Sequence, residues 1–557
     1  MAGEFDLDKH FLTERRLALG PWQAFERSIA RMLEHGGFKD VNVVGGTGDL
    51  GADILAIKGK KRWVIQAKYR ANGSIGKDAV EEAFKAMQIY AADVCVTTTN
   101  RYFSPDAKKY NASKRSLGFN SQLWDRDKLL QLGSQIPVES KHRRTPRKYQ
   151  KNAIDAIFDA INRGDQNGLI TLATGLGKTM VASSLISDFL MENPNANVLV
   201  LAHMKDLVKQ LDAASWPQLD KSVHTHVWTD GERPAFSDGV IFATWQSILM
   251  AVNNGEIPIN HFDLIIVDEC HHAPSESFSN LLRELNSKFL LGVTATPWRS
   301  DGSTLRDLFG EPLFSMSVVE GMQKGFLSDV DYKMLTDGID WEEINYLSRN
   351  GHTVRDLNQL LYVPERDLGM IEKITETISE TENARALVFC RSIRHAERLL
   401  GFFRRFDIPT AVLHSQLGRT DKFKALSNFR IGKLTVLISI EMLNEGIDVP
   451  EVNIVCFARV THSRRIFLQQ LGRGLRISDG KKVVKVLDFV ADIRRIAAGI
   501  ELNHEAARRR AEETVSYPDG SIVKFSDDVT PFFDQYLADM ADIGNLDDSA
   551  RLNFPEH

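Results

Sequence analysis

The sequence predicts an α/β protein built on parallel sheets, and three observations carry that expectation. Short apolar runs of strand length alternate along the chain with longer stretches of helical periodicity, the pattern of strands joined by crossover helices. One such junction, "NGLITLATGLGKTMVASSLISDFL" at 167–190, passes from a β-type run through a glycine-rich turn into a helix. Another, "FDLIIVDECHH" at 262–272, is an apolar run ending in two adjacent acids, Asp268 and Glu269. The carboxyl end of a parallel strand is where such sheets collect their ligands.

Composition bounds the reading. At roughly 100–200 residues per domain, 557 residues suggest three or four domains. No apolar run reaches the ~18 residues a membrane helix needs. The segment "MAGEFDLDKHFLTERR" is too charged for a secretory signal, so a cytoplasmic protein without membrane contact is expected. Cys95, Cys270, Cys390 and Cys456 are far apart and mostly inside apolar runs, which fits reduced core thiols. The net charge of −5 excludes a small basic nucleic-acid-binding module, so any such contact is local. Basic runs at 58–70 and 141–148 are candidates, although a charge run is commonly a solvated face. A polar stretch with two prolines, 133–147, reads as a linker.

The glycine-rich turn fails the usual phosphate-loop pattern GxxxxGK[ST] by one residue, because Leu172 stands where the first glycine belongs. Its strand–turn–helix context is nonetheless what phosphate binding requires. Thr174, Gly175 and Gly177 form the turn, and the backbone N–H groups and helix N-terminus that follow suit an anion. Lys178, expected to face solvent and phosphate, would bridge the terminal phosphates of ATP, and Thr179 would hold Mg²⁺. Asp268 can hold Mg²⁺ through water and Glu269 can polarise the attacking water. A metal reading of Cys270, His271 and His272 fails, because adjacent residues cannot all aim at one ion.

With "ATGLGKT" and "DECHH" in hand, the chain resembles the superfamily 2 helicases, and further motifs follow in order. "RKYQ" at 147–150 looks like the adenine-reading motif, with Gln150 reading the base. "VLAHMKDLVKQ" and "FATWQS" look like strand-tracking motifs, and "TATPWR" at 294–299 like the element linking ATP state to closure. "ALVFCRS" opens a second lobe. "MLNEGIDVPEV" resembles a nucleotide-facing motif, with Gly446 and Asp448 turned to ATP. "QQLGRGLR" resembles the arginine motif, with Arg473 and Arg476 reaching the γ-phosphate. The resemblance implies two RecA-like lobes, 147–320 and 321–492, and hydrolysis only when they close.

Before them, "PWQAFERSIARMLEHGGF" reads as an amphipathic helix with Trp22, Phe25, Ile29 and Leu33 on its apolar stripe and Glu26 in the middle of it. A buried carboxylate there needs a partner or a metal. A glycine-rich turn leads to Asp53, the strand "ILAI", and the strand "RWVIQAKYR". Alternation puts Gln66 and Lys68 on one face, with Trp63, Ile65, Ala67 and Tyr69 on the other. Asp53, Gln66 and Lys68 can converge to bind a divalent ion and support water attack on phosphate.

This segment resembles the Mrr-like branch of the PD-(D/E)XK nucleases, which implies a nuclease domain over 1–136 and a linker over 137–146. The resemblance makes Asp53, Gln66 and Lys68 the catalytic set and Glu26 the helix acid that assists the metal. Residues 493–557 read as a short, mostly helical tail. The whole resembles motor–nuclease subunits of restriction and anti-phage systems, acting on double-stranded or branched DNA with ATP and Mg²⁺. A partner subunit would choose the target, since no target-recognition domain is visible. The alternative is a remodelling helicase whose first domain only docks on DNA.

Overall fold

The computed structural model describes residues 10–44, 51–273, 275–295, 305–335, 366–390, 392–414, 416–440, 449–458, 474–477, 481, 483–489 and 523–524. They fall into two compact units. One runs to Thr171 and resumes over Gly177–Ser315; the other joins Leu172–Leu176 to the residues from Met316 on.

In the first unit, helices α1 (Glu14–Ala18) and α2 (Trp22–His35) precede a five-stranded sheet. Its strands are β1 (Lys39–Val43), β2 (Ile54–Lys58), β3 (Lys61–Lys68), β4 (Val94–Thr99) and β5 (Ser121–Trp124), in chain order. The first three are antiparallel neighbours. The last three are parallel, joined by α3 (Lys77–Ile89) and α4 (Pro105–Ser116), with α5 (Arg126–Gln135) after them. The expected alternation holds: Trp63, Ile65, Ala67 and Tyr69 pack with Phe25, Ile29 and Leu33 of α2. Gln66 and Lys68 therefore take the opposite face, toward α3. Trp22 departs from the expectation. It is the first residue of α2, directly after the Pro21 cap, and is 47% exposed, so the stripe starts at Phe25.

The same unit contains a seven-stranded sheet of order β12-β6-β11-β10-β7-β9-β8. Its strands are β6 (Asn167–Leu172), β7 (Val198–Ala202), β8 (Thr225–Trp228), β9 (Val240–Thr244), β10 (Leu264–Asp268), β11 (Phe289–Thr294) and β12 (Pro312–Met316). The pairs from β6 through β8 are parallel. Their almost unbroken burial fits helices on both faces: α6 (Lys148–Arg163), α7 (Lys178–Glu192), α8 (Lys205–Ser215), α9 (Trp245–Asn253), α10 (Glu276–Glu284) and α11 (Arg306–Phe309).

The two sheets of this unit are bolted together by α2. Arg31 is buried and donates to the carbonyls of Val223 (2.8 Å) and Asp220 (2.9 Å), with its guanidinium 4.3 Å from the Phe11 ring. Arg27 pairs with Asp212 at 3.3 Å and with Glu232. The segment expected as a linker is also stitched down. Residues 133–135 complete α5, Ser140 donates to Glu34 (2.8 Å), and Arg143 pairs with Asp220 (2.9 Å). Ser140 thus ties the stretch to α2, and Arg143 ties it to the residues after α8.

The second unit holds a seven-stranded sheet of order β15-β16-β14-β17-β18-β13-β19. It comprises α12 (Val318–Gln323), β13 (Asp329–Leu335), α13 (Arg366–Ser379), β14 (Ala386–Phe389), α14 (Ile393–Arg405), β15 (Thr410–Leu413), α15 (Arg419–Arg430), β16 (Val436–Ser439), β17 (Ile454–Phe457), β18 (Val483–Phe489) and β19 (Val523–Lys524). All pairs are parallel except β19, which lies antiparallel on β13. The segment expected as a helical tail thus contributes an edge strand; the rest of 493–557 lies outside the described residues. All four cysteines are buried and unbridged, as expected. Among the described residues no helix is long and apolar enough to cross a membrane.

Candidate nucleotide and nuclease sites

The anomaly at position 172 has a structural reason. Leu172 is the last residue of β6 and is fully buried, so it closes the sheet and is not part of the turn. The turn proper has Gly175 at φ 95° and Gly177 at φ 83°, the left-handed region that side chains avoid. Gly177 also caps α7 against Gln150: a Cβ there would sit 2.5 Å from Gln150 Nε2. Gln150 is thereby placed beside the loop, with its Oε1 accepting from the Arg147 N–H at 2.8 Å. Thr174 Oγ1 is buried without a hydrogen-bond partner, a donor suited to a phosphate oxygen. Thr179 follows Lys178 in the first turn of α7.

Lys178 does not face solvent. Its ammonium lies 2.9 Å from Glu269 Oε1, and both side chains are only 12% exposed. Glu269 sits just past β10 at φ 47°, a backbone conformation that costs a non-glycine residue about 1–2 kcal/mol. Behind it the buried His271 places Nδ1 3.3 Å from Glu269 Oε2 and 3.0 Å from Thr294 Oγ1 on β11. Burial opposes ionisation of Glu269, but the Lys178 ammonium and His271 outweigh it and hold the carboxyl well below the usual range. Asp268 goes the other way: burial and the Glu269 charge push it up, and Lys178 offsets only part of that.

These residues fit Mg²⁺ and ATP: an unpartnered hydroxyl, a glycine-closed turn, a lysine and two carboxylates. The Asp268 shift makes the fit testable. A carboxyl whose folded pKa is raised favours the folded state below its ordinary value of about 3.9 and loses that advantage as pH climbs through the raised value. A bound cation favours the ionised form, so Mg²⁺–nucleotide should displace a proton. Affinity for a non-hydrolysable Mg²⁺–nucleotide should therefore rise with pH across that window. Calorimetry in buffers of different ionisation enthalpy should detect proton release, and Asp268→Asn should remove it. Affinity independent of pH, with no proton release, would contradict the assignment.

Of the residues expected to form a nuclease site, Asp53, Gln66 and Lys68 come together at the β2–β3 hairpin. The register Ile54↔Ile65 sets Asp53 opposite Gln66. Asp53 Oδ2 accepts from Gln66 Nε2 (2.7 Å) and from the Ala67 N–H (2.6 Å), and all three residues are buried. Lys68 is two residues on and pairs with Glu82 of α3 at 2.6 Å. Glu26 is buried on α2, which packs on the opposite face of the sheet. Gln66 is 3% exposed, and its Oε1 has no hydrogen-bond partner; neither has Thr97 Oγ1, on its register partner in β4. An orphaned amide oxygen beside a carboxylate fits a divalent cation with one neutral ligand. Among the described residues no group of three or more His, Cys, Asp or Glu is arranged to hold a metal, so the amide matters here.

Sequence reasoning missed Glu82 and Thr97. Glu82 lies on the polar side of an ordinary amphipathic helix, and the threonines of β4 read as strand formers. Of the expected second-lobe residues, Arg476 is half-buried and bridges Leu327 through its backbone. Gly446, Asp448 and Arg473 lie outside the described residues, as do 296–299 of "TATPWR".

Comparison with known proteins agrees with this architecture. Residues 19–133 match the Mrr-type restriction endonuclease family, 143–299 the type III restriction enzyme res subunit family, and 369–478 the helicase conserved C-terminal domain. The chain thus joins a restriction-endonuclease domain to two RecA-like helicase lobes. It is 27% identical to the endonuclease subunit of the type I restriction enzyme EcoAI of Escherichia coli, over 62% of this chain and 46% of that one. It is also 27% identical to the DNA 3'-5' translocase XPB2 of Sulfurisphaera tokodaii, over 60% of this chain and 79% of that protein. The chain spans about half the length of the first curated relatives it matches. In fold it is similar to the DNA-bound, ATP-dependent type ISP restriction-modification enzyme LlaBIII, at TM-score 0.53 and 17% identity, over 94% of this chain and 42% of that one.

Proposed function

We propose that this chain is an ATP-driven DNA translocase or helicase that carries its own metal-dependent endonuclease and works in restriction or anti-phage defence. The observation that carries the reading is the bolt between the two centres. Helix α2 packs Phe25, Ile29 and Leu33 on the nuclease sheet, while Arg27 and Arg31 of the same helix are locked into the lobe that holds Lys178. A nuclease fixed to a motor lobe is carried wherever that lobe goes.

In this reading the nucleotide site is self-blocked when empty. Lys178 can serve a phosphate only by leaving Glu269, so nucleotide entry and release of the Glu269 carboxylate are one event. When bound, Mg²⁺–ATP would supply the phosphoanhydride and the metal's charge, and Lys178 would turn to it from Glu269. Glu269, still steadied by His271, then orients water. Thr174, Gly175, Gly177, Thr179, Asp268 and Gln150 hold the nucleotide, and the sequence resemblance adds Gly446, Asp448, Arg473 and Arg476 to the proposed set. The domain limits proposed are 1–136, 147–320 and 321–492. DNA is the proposed track and substrate, Mg²⁺ the metal, and a separate subunit the source of target choice.

The test is incubation of the purified chain with supercoiled plasmid and Mg²⁺, with and without ATP. Nicking or linearisation that ATP stimulates is the expected result, with ATP hydrolysis rising on DNA addition and falling with salt. ATP hydrolysis indifferent to DNA would overturn the motor assignment. Absence of cleavage on any DNA with any divalent metal would instead favour a docking domain. The Gln66–Asp53 hydrogen bond, which closes one carboxylate oxygen, speaks for that second reading.

A further inference from the structure

The nuclease site as read from the sequence is short of negative charge. Gln66 occupies a position where a carboxylate would serve a cation better, so Asp53 is the only acid on the hairpin face. Across that face lies α3, and one acid on it reaches the site. Glu82 Oε2 stands 2.6 Å from Lys68 Nζ, with the side chains 43% and 34% exposed. The helix is also pressed against the turn that delivers Asp53. A Cβ at Gly51 would meet the Glu82 carbonyl at 2.8 Å and Glu82 Cβ at 3.4 Å, and Gly51 sits at φ 84°. Glu82 is therefore placed beside both Asp53's turn and Lys68. Beside Asp53 the buried Gln66 Oε1, and on its register partner the Thr97 Oγ1, lack hydrogen-bond partners.

An exposed ion pair alone would mean little, because such pairs contribute about 0–1 kcal/mol. The orphaned, fully enclosed amide oxygen is what marks a ligand site rather than a surface contact, since buried acceptors are ordinarily satisfied. We propose that Glu82 is the second carboxylate of the nuclease centre: it pins Lys68 in the metal-free protein and supplies, with Asp53 and Gln66 Oε1, the charge that holds a divalent cation. The inference rests on the nuclease reading of the hairpin. It accounts for a functional site with glutamine at position 66, because the missing charge arrives from α3.

The experiment uses the full chain and Mn²⁺ alone as the probe, with binding followed by calorimetry and plasmid cleavage assayed beside it. The nuclease-site ion is defined as the Mn²⁺ binding that Asp53→Asn removes, which separates it from metal at the nucleotide site. Glu82→Gln should weaken that binding by ~10–100-fold and slow cleavage with it. Adding Gln66→Glu to Glu82→Gln should restore both, because the charge returns at the neighbouring position. The proposal is overturned if Glu82→Gln binds Mn²⁺ as the parent does while Asp53→Asn does not, or if Gln66→Glu gives no rescue. If Asp53→Asn itself leaves both Mn²⁺ binding and cleavage intact, the hairpin reading fails instead. Glu82 is exposed, so its variant should melt at the parent temperature, and a lower melting temperature of more than a few degrees would count against a role confined to the site.

Discussion

Lys178→Ala is expected to reduce ATP hydrolysis by at least ~10²–10³-fold, the usual loss when one preorganised charge on a transferring group is removed. The structure adds a consequence that the sequence did not suggest. Lys178 is not a solvent-facing side chain but half of an enclosed pair with Glu269. Removing it leaves Glu269 with His271 as its charge partner, and breaking a buried pair costs roughly 3–5 kcal/mol when nothing compensates. The pH dependence has a definite sign. Glu269 is held below its ordinary pKa, so its contribution is present above about 4.3 and is lost as pH falls toward its depressed value. The variant should thus melt lower than the parent at neutral pH, and the two should converge in acid. Lys178→Ala with Glu269→Gln should regain stability but not hydrolysis. Turnover near the parent rate in Lys178→Ala would remove the nucleotide site from this loop.

What was legible in the sequence was local. β6, its turn and α7 are consecutive, so the loop declared itself despite Leu172. Asp268 and Glu269 end an apolar run, and two-residue alternation alone puts Gln66 and Lys68 on one face. What was not legible depends on packing between distant segments. Arg27 and Asp212 are far apart in the chain, and nothing in either neighbourhood announces the other. For Lys178 and Glu269 the sequence put both in one site but gave no sign of the direct ion pair between them. The polar stretch 133–147 looked like a spacer because composition reports polarity and not partners; its Ser140 bonds Glu34 and its Arg143 pairs with Asp220. Trp22 failed for a helix-end reason: periodicity places it on the stripe, but the first turn stands clear of the sheet.

Asp53→Asn should eliminate DNA cleavage while DNA-stimulated ATP hydrolysis continues, since the hydrogen bonds of Asp53 to Gln66 and Ala67 lie within the β2–β3 hairpin. Asparagine is the better variant than alanine. Asp53 Oδ2 accepts from the Ala67 N–H, and truncation would strand that buried donor at a cost of about 1–3 kcal/mol. The amide can keep that bond and remove only the charge. A cation that stabilises developing charge on phosphate contributes several kcal/mol, so the expected loss is at least about 10²–10³-fold. Gln66→Glu is the complementary test. Gln66 Nε2 now donates to Asp53 across 2.7 Å, and a glutamate there would set two carboxylates against each other. Like charges at that distance raise one pKa, which lowers stability as pH rises above about 4. In chelator the variant should melt below the parent at neutral pH and recover in acid. Mn²⁺ should then raise its melting temperature more than it raises the parent's, with cleavage retained or enhanced. If position 66 is purely structural, metal will restore neither stability nor cutting, and the hairpin serves only to dock DNA.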